Sequence, residues 1–315
     1  MPQREVFKMK NRKRSLPKYE RDRIRQGTYF LIPTMILVML MIVAPLIYVI
    51  WLSFHEWNGS FAESPLFVGL GNYTGLKTMT GFVDMAKFSI LYAIATTFIG
   101  VGLALILAFA LDKPQRGKYM NRSLLRALWY VPALIGGTSV GIIWKIMYNY
   151  KNGLLNTIIK SVGGKPVNWL ETVGLAGWAV IIAAIWAGIG MQIIIFLAGL
   201  QAIPQELYES ATIDGANTWQ QRIHIAIPLL APSITINVIT SSITAFKAYE
   251  LPWVITAGLP GYTTRTVTQM IKEYGFNSMK YGAASALAVV LIILIVVIQL
   301  IQLLFLNKNE EEAYD

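Results

Sequence analysis

The sequence predicts an all-α membrane protein with six transmembrane helices, and three observations predict it. The chain is 55% hydrophobic and only 14% charged, against about 25% charged residues in a soluble domain. Its apolar residues gather into six runs, at 29–52, 88–111, 124–148, 174–199, 229–251 and 282–306. Each run is close to the ~20 residues that cross a hydrocarbon core. The charge is also lopsided. Ten of the 27 Lys and Arg residues precede Gly27, and segment 112–123, DKPQRGKYMNRS, carries four more. A positive-inside bias places both segments in the cytoplasm, and with them loop 200–228 and both termini.

Composition excludes several functions. There is no cysteine, so disulfide and thiolate chemistry are absent, and the two histidines, His55 and His224, lie far apart and offer no metal site. A formal charge of +10 raises the question of nucleic acid. The basic arm leads into a lipid-like run rather than a soluble core, so a membrane surface is the expected contact. The arm is too long, and its apolar run too extended, for a cleaved secretory signal.

Between the fourth and fifth runs lies ELYESATIDGANTWQQRIHIAIPLLAP, residues 206–232. Pro204 suits the first turn of a helix, where its missing N–H costs nothing. Glu206 and Glu209 follow, where the positive helix end favours acids. Leu207, Ala211 and Asp214 recur at helical spacing. Gly215 is placed to close the helix in a left-handed conformation, and Asn217 or Thr218 to cap a second helix from Trp219 onward. Pro228 and Pro232 then limit the entry into the fifth span. The expected product is a short projecting knob. Its first helix bears only acids, unlike the Lys/Arg-rich face of an interfacial membrane helix, which points to a protein partner.

Charges within the spans mark a second place. Lys247 and Glu250 fall late in the fifth run, three apart, and are expected on one helix face. Pro252 is expected to interrupt that helix. An irregular backbone at that depth belongs beside a cavity or within packed protein.

The motifs then carry a resemblance. YESATIDGANTWQQRIHIAIPLLAP resembles the EAA loop of ABC-importer permeases, with E-A-A at Glu209, Ser210 and Ala211, D-G-A at Asp214, Gly215 and Ala216, and I-x-x-P at Ile225 and Pro228. Ser210 departs from the alanine of the pattern. FVGLGNYTGL resembles the segment after the first span of these proteins, and LLRALWYVPALIGGTSVGIIWKIMYNYKNGLLN the third-span region of sugar-type permeases. TAFKAYELPWVITAGLPGYTTRTV is similar to their fifth-span segment, with Leu259 in place of a glycine. The chain resembles permeases of the maltose and glycerol-phosphate type, and the first of the two permeases in particular.

The resemblance implies a type I importer permease with a basic arm (1–28), a six-span domain (29–306) containing the coupling loop 204–228, and a cytoplasmic tail (307–315). It implies docking of Glu206, Leu207, Glu209, Ser210, Ala211, Asp214, Gly215 and Ala216 on a cytoplasmic ATPase dimer that binds MgATP. It also implies a second permease as heterodimer partner, an extracellular solute-binding protein and a saccharide substrate, an acidic one included. Substrate-path candidates are Trp186, Gly188, Met191, Phe246, Lys247, Tyr249 and Glu250. No cofactor, metal or nucleic acid is expected in this chain. It has no phosphate loop, since SVGGKP at 161–166 puts proline where the Mg²⁺-binding hydroxyl belongs. The rival reading is an ion-driven secondary transporter. It calls for inverted repeats and mid-span acids, and the sequence offers no convincing repeat.

Overall fold

The computed structural model describes residues 18–60, 62–112 and 122–314. It separates into two units, Met1–Trp51 and Leu52–Asp315. The first is essentially one long helix: α1 (Lys18–Val38), a π turn at Met39–Val43, then α2 (Ala44–Leu52). It begins within the basic segment, ahead of the expected start at 29. The π turn has a local cause. A proline collides with the carbonyl four residues earlier, and Pro45 sits just inside α2. Widening the preceding turn relieves that collision.

The second unit opens with a two-stranded hairpin, β1 (His55–Glu56) and β2 (Leu66–Phe67), paired His55↔Phe67 and Glu56↔Leu66. Then come α3 (Gly71–Gly75), α4 (Phe82–Asp112), α5 (Arg122–Leu134), α6 (Gly137–Met147), α7 (Leu154–Ser161) and α8 (Leu175–Ala202). The loop region holds α9 (Gln205–Ile213), α10 (Thr218–Gln221) and α11 (Ile227–Leu229). The chain finishes with α12 (Ala231–Phe246), α13 (Glu250–Thr256), α14 (Val267–Lys272) and α15 (Tyr281–Tyr314).

Four helices are long and apolar enough to span a membrane unaided: Arg25–Leu52, Phe82–Asp112, Leu175–Ala202 and Tyr281–Phe305. The remaining two expected spans are bent pairs of helices, which bring the count to six if each pair is one span. The third is no single helix, because Leu128–Leu134 and Gly137–Met147 meet at 111°. Pro132 removes one backbone donor, the Ile135 N–H turns back to the Pro132 carbonyl at 3.2 Å, and Gly136 is extended (ψ 148°). The fifth bends by 65° where Thr218–Leu229 meets Ala231–Phe246, and its helix stops at Phe246 rather than 251.

The bundle packs α4 against α8 and α12, where membrane helices must approach closely to gain contact. Small residues permit it. In α4, a Cβ on Gly100 would lie 3.4 Å from the Gln192 amide of α8; in α8, one on Gly190 would strike the Trp129 carbonyl of α5 and one on Gly199 the Ser233 hydroxyl of α12. Polar side chains cross between helices: Gln192 donates to Ser241 (2.7 Å) and Gln299 to Ser242 (2.9 Å).

Two asparagines order the loops at one end of the unit. Asn72 donates to the carbonyls of Ser53 (3.0 Å) and His55 (2.9 Å), and Tyr73 shares a 2.6 Å bond with Ser53. Asn156 is fully buried. It donates to the carbonyls of Tyr150 (3.1 Å) and Val167 (2.8 Å), and accepts from the Val167 N–H (2.9 Å) and the Trp169 indole (3.2 Å). That is why the GLLN loop needs its asparagine. Asn156→Leu strands these partners and should cost on the order of 3 kcal/mol. Its expected signature is a melting temperature several degrees lower in detergent, and an unchanged melt refutes the account.

Candidate functional site

Two places stand out, the knob and the junction of the broken helices. The knob is assembled by local chemistry. Pro204 caps α9 and Glu206 occupies its first turn. The helix closes with the Gly215 N–H on the Thr212 carbonyl (3.1 Å) and the Ala216 N–H on the Ala211 carbonyl (2.8 Å), with Gly215 at φ +82°. This is the paired closure that a left-handed residue allows. Asn217 caps α10 and Gln220 bonds back to the Asn217 N–H, completing a capping box. Gln221 staples the two helices by donating to the Thr212 hydroxyl (2.9 Å). A π turn at Arg222–Ala226 precedes Pro228, repeating the solution seen before Pro45.

What the knob presents is apolar and acidic. Glu206, Leu207, Glu209, Ser210, Asp214 and Gly215 are exposed, while Ala211 and Ala216 are half-buried. Ile213 is 87% exposed and Trp219 68%. Neither is among the docking residues that the resemblance implies: Ile213 falls off the spacing of Leu207, Ala211 and Asp214, and Trp219 figures there only as the start of the second helix. A cleft of about 320 Å³ opens behind α9, walled by Ala211, Asp214, Gln221 and His224.

At the junction, α6 packs against α13. A Cβ on Gly141 would lie 2.8 Å from Val254 Cβ, and one on Gly137 3.3 Å from the Glu250 carboxylate. Lys247 and Glu250 do not share a helix face, a correction of the sequence reading. Lys247 ends α12, Tyr249 takes φ −131° and ψ −62°, and Glu250 begins α13. The interruption precedes Pro252, which occupies the first turn of α13 where its missing N–H is harmless. Nor do the two residues pair: among the described residues the ion pairs are Arg25–Asp22 and Arg265–Glu273.

Three carbonyls around this interruption accept side-chain donors from α14 and its cap, although the Tyr249 carbonyl also accepts the Trp253 N–H at 3.1 Å. Thr268 donates to Phe246 (3.3 Å), Thr266 to Ala248 (2.9 Å) and Gln269 to Tyr249 (3.4 Å). Thr266 also caps α14 in a second capping box, and the Val267 N–H reaches the Ser89 hydroxyl of α4 at 3.0 Å.

Aromatic side chains gather around the junction. Trp186 stands edge-on to Trp144 at 5.8 Å, Trp144 meets Tyr148 at 5.3 Å, and Tyr148 meets Trp169 at 5.7 Å. The Trp144 indole N–H is buried without an acceptor among the described residues. Tyr249 stacks on Trp253 at 6.2 Å and 12°. Lys272, absent from the sequence reading, donates to the Tyr249 hydroxyl and lies over both rings, at 5.1 and 5.5 Å. The seven substrate-path candidates do not share one surface. Trp186 and Tyr249 are half-buried, Gly188, Met191, Lys247 and Glu250 are exposed, and Phe246 is buried in the core.

These features meet a known pattern. Residues 100–309 match the family described as "Binding-protein-dependent transport system inner membrane component". The chain belongs to this family. It is therefore a multi-pass inner-membrane permease of an ABC importer, and in such importers the ATPase is a separate subunit. The chain is 33% identical over 286 residues to the trehalose/maltose transport system permease protein MalF of Thermococcus litoralis, covering 90% of this chain and 93% of that one. It is 30% identical over 302 residues to the sulfoquinovosyl glycerol transport system permease protein SmoG of Agrobacterium fabrum, covering 92% and 94%. Among solved structures, it is similar in fold to a bacterial ABC transporter involved in the import of the acidic polysaccharide alginate. There the TM-score is 0.80 at 20% identity, over 93% of this chain and 99% of that chain.

The capping by α14 gives a direct test. Thr266→Val keeps shape but removes both the cap of α14 and the partner of the Ala248 carbonyl. It should cost about 1–3 kcal/mol, seen as a lower melting temperature of the purified permease, whereas Thr80→Val, at an exposed threonine, should leave the melt nearly unchanged.

Proposed function

We propose that this permease imports a saccharide by alternating access, driven through the knob at 204–228. The observation that carries the substrate class is the junction of broken helices beside Trp186, Trp144, Tyr249 and Trp253. An indole or phenol face packs on the apolar side of a sugar ring, while irregular backbone and unpartnered donors meet hydroxyls. The named substrates of the relatives, trehalose and maltose in one and a sulfoquinovosyl glycerol in another, fit the same class. Lys247 and Lys272 make no ion pair among the described residues, so the junction also suits an acidic saccharide.

In this reading both termini and the knob face the cytoplasm. The acids and exposed apolar residues of α9 dock on an ATPase dimer that holds MgATP, and hydrolysis belongs to that dimer. A second permease completes the solute path, a solute-binding protein delivers the sugar from outside, and the basic arm meets anionic lipid. Nucleotide shifts the balance between inward-open and outward-open states only by its differential affinity for them.

Two experiments test this. In a mild-detergent pull-down of the tagged chain, an ATPase and a second permease should be recovered, and both should be lost when residues 206–216 are scrambled in a chain that still inserts. Recovery of the chain alone from intact membranes would overturn the docking assignment. Gly215→Pro disrupts the +82° turn and should abolish uptake of maltose, trehalose or an oligogalacturonide, whichever the assembled transporter accepts. The protein should remain in the membrane, and normal uptake refutes the role given to this turn.

A further inference from the structure

One contact joins the knob to the bundle across 113 residues of sequence. The Arg222 guanidinium donates to the Phe109 carbonyl at 3.0 Å and lies 5.2 Å from the Phe109 ring centroid. Phe109 sits in the last turn of α4, where helix carbonyls lack internal partners and the helix end is negative. A cation there is held by the hydrogen bond, the ring face and the dipole together. Arg222 is half-buried and begins the π turn that follows α10.

The same cluster includes the docking helix itself. Tyr208 of α9 lies near enough that burial and the Asp112 carboxylate raise its phenol pKa while Arg222 lowers it. Tyr208 accepts from Thr212 through its carbonyl (2.7 Å), and Thr212 is bonded to Gln221, the neighbour of Arg222. A continuous chain of contacts therefore runs from α9 through Gln221 and Arg222 to the end of α4. α4 in turn packs along α8 and α12 and, through Ser89, anchors the N-terminus of α14.

We propose that Arg222 is a positioning residue, a strut that makes α4 move as one body with the knob when the ATPases close. This rests on the docking role proposed for the knob. Packing alone leaves a helix pair free to slide by small amounts. A guanidinium bonded to a terminal carbonyl and seated on its ring fixes one end of α4 to the driven element. The two ends of α4 then have distinct partners, Arg222 at one and the Ser89–Val267 bond at the other.

The test uses the whole transporter with its natural partners in nanodiscs, with MgATP and orthovanadate as the probe. The chain has no cysteine of its own, so Ala110→Cys with Thr218→Cys places one spin-label pair across the contact. Ala110→Cys with Leu304→Cys reports the end of α4 against α15. With Arg222 intact, trapping nucleotide should shift the second pair and leave the first fixed. Arg222→Met should broaden the first pair on trapping and lower uptake per ATP hydrolysed by about tenfold, within the range of a coupling between sites. Arg222→Lys keeps a donor and should narrow the distribution again. The strut is overturned if, with Arg222 intact, the first pair changes by more than about 5 Å, one helical turn. It is equally overturned if Arg222→Met leaves that distance as in the unmodified protein. The labelled Arg222 protein decides the matter even where Arg222→Met does not assemble. Failure of the docking role itself has a different signature, absence of the ATPase and of any trapped nucleotide.

Discussion

A helix that stops inside an apolar bundle must find new partners for its last carbonyls, because no water is there to supply them. Much of this permease is arranged around meeting that requirement at Phe246 and Ala248. Their carbonyls accept from Thr268, in the first turn of α14, and from its cap Thr266, while Gln269 adds a second donor to the Tyr249 carbonyl, which already holds the Trp253 N–H. That helix must itself be held. Its capping box fixes its first turn, and Ser89 of α4 fixes its Val267 N–H. The Thr256–Thr264 bond, at 2.8 Å, ties down the loop between α13 and α14. Remove this support and the Phe246 and Ala248 carbonyls lose the side-chain donors they have among the described residues. With it, the chain can place Lys247 and Tyr249 on irregular backbone and Glu250 at the start of α13.

Prolines impose the complementary constraint, the loss of a donor. Pro33 is carried inside α1 without a break, and several other prolines show three distinct answers. Pro204, Pro228 and Pro252 sit at or near helix starts, where the donor is not needed. Pro45 and Pro228 are each preceded by a π turn that makes room for the ring. Pro132 remains inside α5, and there the helix ends two residues later and the chain turns through 111°. The sharp bend of the third span and the gentler one of the fifth thus have the same origin, differing in whether glycines follow. Ile135-Gly136-Gly137 lets the backbone turn fully, whereas Leu230 only kinks it.

These constraints decide what could be read from the sequence. The knob was legible because its rules act within four residues: Gly215 closing α9, Asn217 capping α10 and Glu206 in the first turn are all local choices. The long spans were legible from hydropathy, which is likewise summed along the chain. The break in the third span was not, because 124–148 is as apolar as its neighbours and Pro132 alone does not distinguish a kink from a stop. The face assigned to Lys247 and Glu250 failed for a related reason. Helical spacing was extended through residues whose carbonyls are bonded by Thr266 and Gln269, about 18 to 20 positions away. Lys272 and Arg222 were missed because their partners, Tyr249 and the Phe109 carbonyl, are 23 and 113 residues distant.

The knob and the junction are also mechanically joined. α8 runs from Leu175, past the aromatic cluster at Trp186, to Ala202, and two residues later Pro204 caps α9. α12 leaves the other side of the knob at Ala231 and ends at the interruption at Phe246. At 1.5 Å per residue, these rods are about 42 and 24 Å long. The knob is stapled internally by Gln221 and cannot open between them without breaking the Thr212 bond. Any displacement of α9 is therefore delivered to both rods at once, at Trp186 by one and at Lys247 by the other. The irregular segment 247–249 lies where α12 hands over to α13, so α12 can change its tilt relative to α13, while Ser89 ties α14 to α4. The break that costs so many compensating hydrogen bonds thereby sits between elements joined to the knob by different routes, α12 directly and α14 through α4 and Arg222.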